Sequence, residues 1–543
     1  MRHALHAAQA RRAAHARHEA DDVVITGGEV LDGTGAPARR ADVVVREGVV
    51  RDVVPPGKTH EGPELDATGL VVAPGFIDLH SHADFTVREH PAADTAVHQG
   101  VTTLLGGNCG FSPFPVAEAE ELRGAAGFLA AGVDFEWSDL DGYARAVEAD
   151  RPAINLATQV GHQALRTLVM GADERPATGD ELARMRSLLA AAAEQGAFGF
   201  STGLIYAPGS YASPAEVAAL ATEAAERGLL YSTHMRNESD ELLAAVDEAL
   251  DAARRSGARL EISHLKAMGP ANHGAVHEAL AKIEAARAGG VDVAADVYPY
   301  TASSTTLTAR LPGWAMDGGA ARLLERLMER STRSRIAAEL RARFGRDIDP
   351  AGVVVAELPD GPYSRFIGRS LAEIADEIGT DAAEAALELL AAHNATVAIV
   401  NHAMSAGDVS AVLAHPLVSV ASDGWTLAPS GGGRPHPRSF GTFARVLGRY
   451  VRRDEVLTLP EAVRKMTSLP AARLGLADRG EIRPGRVADI AVFDPAAVID
   501  NSDFADPWRL ATGVRHVLVR GVPVLRDGTA TGARPGRVLR RAG

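Results

Sequence analysis

Short runs of β-branched residues alternate with glycine turns at both ends of the chain. Near the beginning these runs are VVITGGEVLDG, ADVVVREGVVRDVV and GLVVAPGF, and near the end they are RVADIAVFDP and GVRHVLVRGVPVLRDG. Alternation of this kind predicts short strands joined by tight turns. We therefore predict one small β-sandwich domain that combines residues 21–72 with residues 480–543.

The middle of the chain has a different pattern, in which apolar runs alternate with alanine-rich helical segments such as PAEVAALATEAAERG. An alternation of strands and helices favours a parallel sheet with crossover helices. The candidate strands are VVAPGFIDLH, VTTLLGG, INLATQV, AFGFST, LLYSTH, RLEISH, VDVAADVY and LVSVASD. Eight strands close a (β/α)8 barrel of the TIM type, so we predict an α/β fold with this barrel over residues 73–479.

Two segments lie outside these patterns. The charged helical segment ARLLERLMERSTRSRIAAELRARFG is followed by the strand-like VVVAEL, and together they predict an insertion at residues 311–394, before the last barrel strand. At this position the insertion can cover the C-terminal ends of the barrel strands, where the active site of such a barrel lies. Residues 1–20 are rich in alanine, arginine and histidine and lack the continuous apolar region of a secretory signal. We expect them to form a disordered or helical extension outside the fold.

Composition narrows the classes of partner. The 543 residues carry a formal net charge of -14 without a long block of one sign, which does not favour nucleic-acid binding. No run approaches the roughly 18 apolar residues of a membrane span. With one cysteine the chain forms no internal disulfide, which agrees with a cytoplasmic location. We expect a small-molecule partner, and the sequence leaves the oligomeric state open.

Several predicted barrel strands end on side chains that bind metals. GFIDLHSHAD places His80 and His82 two residues apart, so that both imidazoles point to one face of the strand. LLYSTH ends at His234, RLEISH at His264 and LVSVASD at Asp423. Barrel closure brings the C-terminal ends of the strands around one funnel, so we expect these side chains to meet there. Imidazole and carboxylate are common zinc ligands.

Cys109, the only cysteine in the sequence, lies in LLGGNCGFSPFP directly after another predicted strand. A lone cysteine is most often a small buried apolar residue. Its position at a strand end, together with the four histidines and the aspartate, favours a metal ligand instead. The sequence therefore predicts a metal-binding site at the C-terminal end of the barrel.

In these motifs the sequence resembles the amidohydrolase superfamily, and specifically its N-acyl-D-amino-acid deacylase (D-aminoacylase) branch. The resemblance extends from about Asp22 to Arg540. The motifs that carry it are PGFIDLHSHAD, GGNCGFSP, STGLIYAPGSYA, THMRNES, SHLKAMG, DVYPYTASST, SDG, HPRSFGTFARVLG and GARPGRVL.

The resemblance implies a zinc enzyme in which a cysteine replaces the carboxylated lysine of many amidohydrolases. It implies that Cys109, His234 and His264 hold a tighter Zn²⁺ ion. The ligands that it implies for a second, weaker position are His80, His82, Asp423 and Cys109 as a bridge. Zinc makes water a nucleophile near neutral pH. Asp423 would then take the water proton as general base and return it to the leaving amine as general acid.

The resemblance also implies that the arginine of the H-P-R motif, Arg438, grips the substrate carboxylate. The further candidates for polar contacts to the substrate are Lys266, Tyr298 and Ser304. Two assignments stay open, because Lys266 is also suited to a structural ion pair and the loop before Arg438 carries a second arginine, Arg434. Tyr206, in LIYAPGSY, is expected either to line the pocket or to pack in the loop.

The implied function is zinc-dependent hydrolysis of N-acyl-D-amino acids to a carboxylate and a free D-amino acid. The preferred side chain stays open, since an acidic D-residue would require a second cation, for which Arg434 and Arg236 are candidates. A cyclic amidase of the dihydropyrimidinase or hydantoinase type is an alternative, although it would favour a lysine on the fourth strand, which reads AFGFSTG. A D-dipeptide hydrolase and a non-catalytic relative are further alternatives; the latter would be expected to lose ligands, and all six are present.

Overall fold

The structure, a computed structural model, describes residues 22–57, 61–127 and 133–541. The extension predicted over residues 1–20 lies outside these ranges. Within them, no helix is both long and apolar enough to cross a membrane.

The elements follow one another along the chain as the sequence pattern indicates. The strands of the described residues are β1 Val23–Val30, β2 Arg39–Arg46, β3 Val49–Val54, β4 Glu64–Asp66, β5 Val71–Pro74, β6 Phe76–Asp78, β7 Val101–Gly106, β8 Asn155–Gly161, β9 Gly199–Gly203, β10 Leu230–His234, β11 Arg259–Ile262, β12 Val293–Val297, β13 Ala302–Thr306, β14 Val353–Glu357, β15 Ala398–His402, β16 Val418–Val420, β17 Ile490–Phe493, β18 Val514–Val519, β19 Val522–Arg526 and β20 Thr529–Ala530. The helices are α1 Asp94–Val97, α2 Ala119–Ala126, α3 Leu140–Ala149, α4 His162–Met170, α5 Gly179–Glu194, α6 Pro214–Glu226, α7 Leu242–Ser256, α8 Ala275–Ala288, α9 Gly319–Met328, α10 Arg330–Arg341, α11 Leu371–Ile378, α12 Ala382–Ala392, α13 Ala406–Ala414, α14 Arg438–Arg445, α15 Leu459–Met466 and α16 Ser468–Leu474. Local sequence sets the helix starts: Thr178 and Glu181 form a capping box before α5, and Pro214 begins α6 behind the N-cap Ser213.

Strands from both ends of the chain share one sheet. Within the described residues it has nine strands, in the order β20-β19-β18-β17-β5-β1-β2-β3 with β4 beside β1. The two halves meet where β17 pairs antiparallel with β5, with Ile490 opposite Pro74. Ile25, Val43 and Leu518 are fully buried in a core of this sheet's own. Apolar burial therefore ties the two ends of the chain together.

The middle of the chain forms the predicted (β/α)8 barrel, which is confirmed. Its described strands pair in parallel in the order β6-β7-β8-β9-β10-β11-β12-β16. The ring closes just beyond β6 and β16, where His82 N–H donates to Gly424 O and Asp423 N–H donates to His80 O, both at 2.8 Å. This closing seam carries three of the candidate metal ligands.

One predicted strand proves to be two. VVAPGFIDLH contains β5, which belongs to the terminal sheet, and β6, which belongs to the barrel. Gly75 lies between them, and a Cβ atom at this position would lie 2.3 Å from the side chain of Thr102. Glycine thus permits the close approach at the point where the chain passes from one sheet to the other.

The insertion before the last barrel strand has its own sheet and core. Its strands pair antiparallel in the order β13-β15-β14, and α9 to α12 pack on them. Leu323, Ile336, Leu387 and Ile399 are among the buried residues of a cluster separate from the barrel core. The sheet begins in β13 and ends in β15, so this structural unit is wider than the predicted range 311–394.

Candidate metal centre

The structure brings all six sequence-predicted ligands to the C-terminal end of the barrel. They are His80 and His82 after β6, Cys109 after β7, His234 at the end of β10, His264 after β11 and Asp423 after β16. All six side chains are buried. Because the strands are parallel, each strand end delivers its polar residue to the same mouth.

Cys109 lies at the centre of the cluster. Its Sγ is 3.3 Å from Nε2 of His80, 3.5 Å from Nε2 of His264 and 3.6 Å from Nδ1 of His234. Cys109, His234 and His264 form one potential metal-binding group, in which the ligand atoms lie within 4.8 Å of one another.

A second group shares Cys109 and adds the residues of the closing seam. It consists of His80, His82, Cys109 and Asp423, again with ligand atoms within 4.8 Å of one another. Oδ1 of Asp423 is 3.1 Å from Nε2 of His82 and 3.4 Å from Nε2 of His80. The thiol is therefore the one side chain common to both groups.

The donor set fits zinc. Thiolate, imidazole and carboxylate are its usual protein ligands. Bonds of about 2.3 Å to sulfur and about 2.05 Å to nitrogen, at a tetrahedral angle, place the two donor atoms about 3.6 Å apart. The Sγ atom of Cys109 lies 3.5 and 3.6 Å from the nitrogens of His264 and His234. These two histidines and the thiol are thus spaced as ligands of one zinc ion.

The backbone at three of these residues is in the left-handed region. The φ angles are 54° at Cys109, 36° at His264 and 51° at Asp423. Residues other than glycine rarely adopt this conformation, which costs on the order of 1–3 kcal/mol each and clusters at functional sites. Gly110, with a φ of 77°, leaves no room for a Cβ atom, which would lie 1.6 Å from Gln163 Oε1. The glycines of GGNCG therefore let the thiol turn into the mouth.

Electrostatics favour the ionised thiol and carboxylate. Burial raises the pKa of the Cys109 thiol, but the imidazoles of His80 and His264 outweigh burial and hold this pKa well below its ordinary value. Burial also raises the pKa of Asp423, yet Arg438 and His80 keep it well below its ordinary value. The mouth thus presents anionic donors of the kind that a divalent cation binds.

Two carboxylates behind the histidines were missed by the sequence analysis. Glu238, four residues after His234 in THMRNES, lies 3.0 Å from Nδ1 of His264 and 3.3 Å from Nε2 of His234. Asp296, in the β12 motif DVYPY, lies 3.4 Å from Nδ1 of His80. Carboxylates commonly accept a hydrogen bond from the outer nitrogen of a metal-binding histidine. Both carboxylates lie inside motifs named above, THMRNES and DVYPYTASST, and this was the only sequence signal that could have pointed to them.

Arg438, Tyr298 and Ser304 also meet at the mouth. Nη1 of Arg438 forms an ion pair with Oδ2 of Asp423 at 2.7 Å, although without an aligned hydrogen bond, and Nη2 donates to the carbonyl of Ser304 at 3.3 Å. The guanidinium carbon lies 4.9 Å from the centre of the Tyr298 ring. The buried Tyr298 hydroxyl has no hydrogen-bond partner within the described ranges. A polar group thus faces the site with its bonding capacity unused.

Lys266 lies in the same wall but is already paired. Its Nζ is 2.5 Å from Oε1 of Glu238 and 2.7 Å from Nδ1 of His264. The structural ion pair that the sequence left open for this lysine is therefore present, and the residue also lines the cavity. Tyr206 lines the cavity too, with its ring 5.1 Å from that of His234 and its hydroxyl 3.0 Å from Oγ1 of Thr305.

The two arginines considered for a second cation lie elsewhere. Arg434 is exposed and packs beside Gly368, outside the residues that line the cavity. Arg236 pairs with Glu248 at 2.8 Å and donates to the carbonyls of Ser210 and Ala212. Neither residue lines the cavity, so neither arginine is placed to act as the second cation.

A cavity of about 700 Å³ adjoins the cluster, and a third arginine lines it. Arg310 ends the 3-10 turn Leu307–Arg310 after β13 and is 5% exposed. Its side chain forms no hydrogen bond or ion pair with any described residue, and its Nε is buried without a partner. No sequence motif contains Arg310, so the sequence alone gives no signal for its role.

The chain is similar to known proteins over nearly its whole length. Residues 64–525 match the amidohydrolase family. The chain is 41% identical to N-acyl-D-glutamate deacylase of Alcaligenes xylosoxydans xylosoxydans over 96% of each chain. It is similar to the crystal structure of N-acyl-D-glutamate deacylase from Bordetella bronchiseptica complexed with zinc and a phosphonate mimic of the tetrahedral intermediate, with a TM-score of 0.81, 38% identity and coverage of 96% of this chain and 99% of that one. A D-aminoacylase structure concerned with its binuclear metal center gives a TM-score of 0.82 and 36% identity, with coverage of 96% and 100%.

Proposed function

The chain belongs to the amidohydrolase family, and on that premise we propose that it hydrolyses N-acyl-D-amino acids to a carboxylate and a free D-amino acid with the help of zinc. The observation that carries the proposal is the cluster at the barrel mouth, where the Cys109 thiol meets three imidazoles within 3.6 Å beside the pair of Asp423 and Arg438. A metal site next to a cation that can bind a carboxylate suits an N-acyl amino acid. Relatives that are 36–41% identical are named as deacylases of such compounds.

We assign the tighter zinc position to Cys109, His234 and His264. His80, His82, Asp423 and Cys109 would hold the weaker one, so Cys109 would be shared by both positions. A bound zinc ion lowers the pKa of water from about 15.7 to about 7 and polarises the amide carbonyl. Because a metal-binding thiol must stay reduced, we also propose a cytoplasmic location.

Asp423 is the group proposed to move the proton. Its Oδ1 faces His80 and His82 and its Oδ2 faces Arg438, so the carboxylate lies between the metal cluster and the substrate cation. Its pKa, which burial raises but Arg438 and His80 depress further, keeps the carboxylate ionised at neutral pH. Asp423 can therefore accept a proton from water and return it to the leaving amine.

We propose that Arg438 and Tyr298 bind the α-carboxylate of the substrate. Arg438 is 2% exposed, and its Nη1 has no aligned hydrogen bond; the Tyr298 hydroxyl has no partner in the described parts of the chain. A carboxylate with two acceptor oxygens can satisfy both donors at once. Lys266, whose Nζ lies 5.7 Å from the centre of the Tyr298 ring, adds positive charge to the same wall.

We propose further that the preferred substrates carry an acidic D-residue. Arg310 is a nearly buried guanidinium without a partner in the described residues, and it lines the cavity beside the cluster. An unpaired buried charge is costly, and a side-chain carboxylate of the substrate would offset that cost. The relative that is 41% identical is named as a deacylase of N-acyl-D-glutamate.

The test is a substrate panel assayed with added zinc and with a chelator. It contains N-acetyl-D- and N-acetyl-L-glutamate, N-acetyl-D-leucine, hydantoin and dihydrouracil. We expect zinc-dependent release of D-glutamate, with a kcat/KM at least tenfold above that for N-acetyl-D-leucine. Hydrolysis of hydantoin or dihydrouracil alone would replace this function by a cyclic amidase. Absence of all turnover with zinc bound would favour a non-catalytic relative.

A further inference from the structure

Each of the two histidines proposed for the tighter zinc position turns a different nitrogen toward Cys109. His234 uses Nδ1, at 3.6 Å from Sγ, and His264 uses Nε2, at 3.5 Å. A nitrogen that binds a metal carries no proton, and a neutral imidazole carries one. The proton must therefore lie on the far nitrogen, which is Nε2 in His234 and Nδ1 in His264.

Both far nitrogens meet the same side chain. Glu238 places Oε2 at 3.3 Å from Nε2 of His234 and Oε1 at 3.0 Å from Nδ1 of His264. Nε2 of His234 is buried and forms no aligned hydrogen bond within the described residues, and Oε2 of Glu238 is the carboxylate oxygen that lies beside it. Glu238 itself is 3% exposed and lines the cavity. One carboxylate thus offers one oxygen to each histidine.

Lys266 is the third donor at this carboxylate. Its Nζ lies 2.5 Å from Oε1 of Glu238 and 2.7 Å from Nδ1 of His264. A charged ammonium group has no lone pair and cannot accept the proton of Nδ1. When Nδ1 carries the proton, Lys266 cannot also donate to that nitrogen, so Glu238 accepts from Nδ1 and Lys266 donates to Glu238.

We propose that Glu238 is a positioning residue that fixes the ring orientation and the protonated nitrogen of both His234 and His264 while it holds Lys266 beside them. The inference rests on the proposed zinc site, because it concerns the histidines as ligands. It links the metal ligands to a cation of the substrate wall through one carboxylate. Glu238 is expected to touch neither the metal nor the reacting atoms.

The test measures zinc affinity of the metal-free protein by competition with a chromophoric chelator. In Glu238→Gln the amide keeps one acceptor oxygen, so one of the two histidines loses its acceptor. We expect zinc affinity to fall by about 10- to 100-fold. The absorption spectrum of the cobalt-substituted protein should also change, because the ligand geometry relaxes.

Glu216→Gln is the matched control. Glu216 is 3% exposed like Glu238 and binds His162 at 2.9 Å and Arg166 at 2.7 Å, but it does not line the cavity. We expect this variant to lower thermal stability and leave zinc affinity within about twofold. Equal zinc affinity in Glu238→Gln and the wild type would overturn the proposal, whatever happens to stability.

Lys266→Met distinguishes the contribution of the Glu238 carboxylate to zinc affinity from that of Lys266. It also tests the proposal if Glu238→Gln folds poorly. With both histidine contacts to Glu238 intact, we expect unchanged zinc affinity and a raised KM for N-acetyl-D-glutamate. A loss of zinc affinity in Lys266→Met would instead make Lys266 the positioning group and overturn the assignment. Zinc affinity is measured without substrate. If no substrate of the panel is hydrolysed, the effect of Glu238 on zinc binding can therefore still be determined.

Discussion

The two ends of the barrel differ in whether their buried arginines have carboxylate partners. At the base, where the strands begin, Arg473 pairs with Glu261 at 2.8 Å and with Asp292 at 2.5 Å. Arg479 pairs with Asp489 at 3.1 Å. Each of these guanidinium groups has a carboxylate partner, which offsets the cost of removing it from water.

At the mouth, Arg438 and Lys266 also have carboxylate partners, but two other buried polar groups lack one. Arg310 and the Tyr298 hydroxyl have no partner within the part of the chain that the structure describes. Cys109, His264 and Asp423 adopt left-handed backbone conformations. At the base both arginines have carboxylate partners, although Oε1 of Glu261 has no hydrogen-bond partner among the described residues, whereas the mouth holds groups that a metal and a substrate would complete. In a barrel of this kind stability and binding are thus assigned to opposite ends.

The largest effect that we predict comes from Cys109→Ala at the mouth. The thiol belongs to both potential metal-binding groups, so its loss disrupts both. We expect zinc content to fall below one ion per chain and kcat/KM for N-acetyl-D-glutamate to fall by on the order of 10³-fold or more. Metal analysis and steady-state kinetics measure the two quantities. Wild-type zinc content together with wild-type turnover would show that neither zinc binding nor hydrolysis requires the Cys109 thiol.

Arg310→Met sharpens the comparison at the mouth. A desolvated pair of opposite charges is worth about 2–5 kcal/mol, so kcat/KM for N-acetyl-D-glutamate should fall by roughly 30- to 5000-fold. N-acetyl-D-leucine should be hydrolysed at least as well as by the wild type. Because the variant loses an unpaired buried charge, the substrate-free protein should unfold at an equal or higher temperature. An equal loss on both substrates would speak against a role in side-chain selection.

Arg473→Met is the same substitution at the base, where the opposite result is expected. It leaves the buried Glu261 without its partner, and we expect the free energy of unfolding to fall by about 3 kcal/mol. Urea unfolding measures this loss. The ratio of kcat/KM between N-acetyl-D-glutamate and N-acetyl-D-leucine should stay unchanged. A shift in that ratio without a loss of stability would erase the distinction between the two ends.

The last predicted effect, of no more than the size expected for Arg473→Met, is a pH dependence of stability at the base. Burial raises the pKa of Glu261 to about 7 from an ordinary value of 4.5, although Arg473 opposes the shift. Between these values the folded protein retains a proton that the unfolded chain releases, so this group makes stability fall as pH rises from 4.5 to 7, by at most about 3 kcal/mol. Glu261→Gln should flatten this part of the curve of unfolding free energy against pH. Parallel curves for the variant and the wild type would show that Glu261 does not cause this pH dependence of stability.

The sequence allowed the barrel and the meeting of six side chains to be predicted because parallel topology alone decides where strand ends lie. His80, Cys109, His234, His264 and Asp423 each follow an apolar run, and closure of the barrel brings the ends of these runs together. No side-chain packing has to be known for that step.

The residues that escaped prediction depend on tertiary contacts. Glu238 reaches the histidines through the loop after β10, and Arg310 reaches the cavity through a 3-10 turn after β13. Arg434 was considered as the second cation because it is near the H-P-R motif in sequence, yet it is exposed. Sequence distance does not show which of several arginines faces a cavity. The pairing of β5 and β6 with different sheets is also a tertiary feature, so the sequence pattern did not reveal that Gly75 separates two strands.

The pairing of β5 with β17 has a consequence for how the protein is made. Because nearly the whole barrel lies between these strands in sequence, a ribosome must synthesise it before β5 can acquire its neighbour. Until then one edge of the N-terminal strands stays open to pairing with other chains. The sheet is therefore exposed to mispairing until β17 has been synthesised.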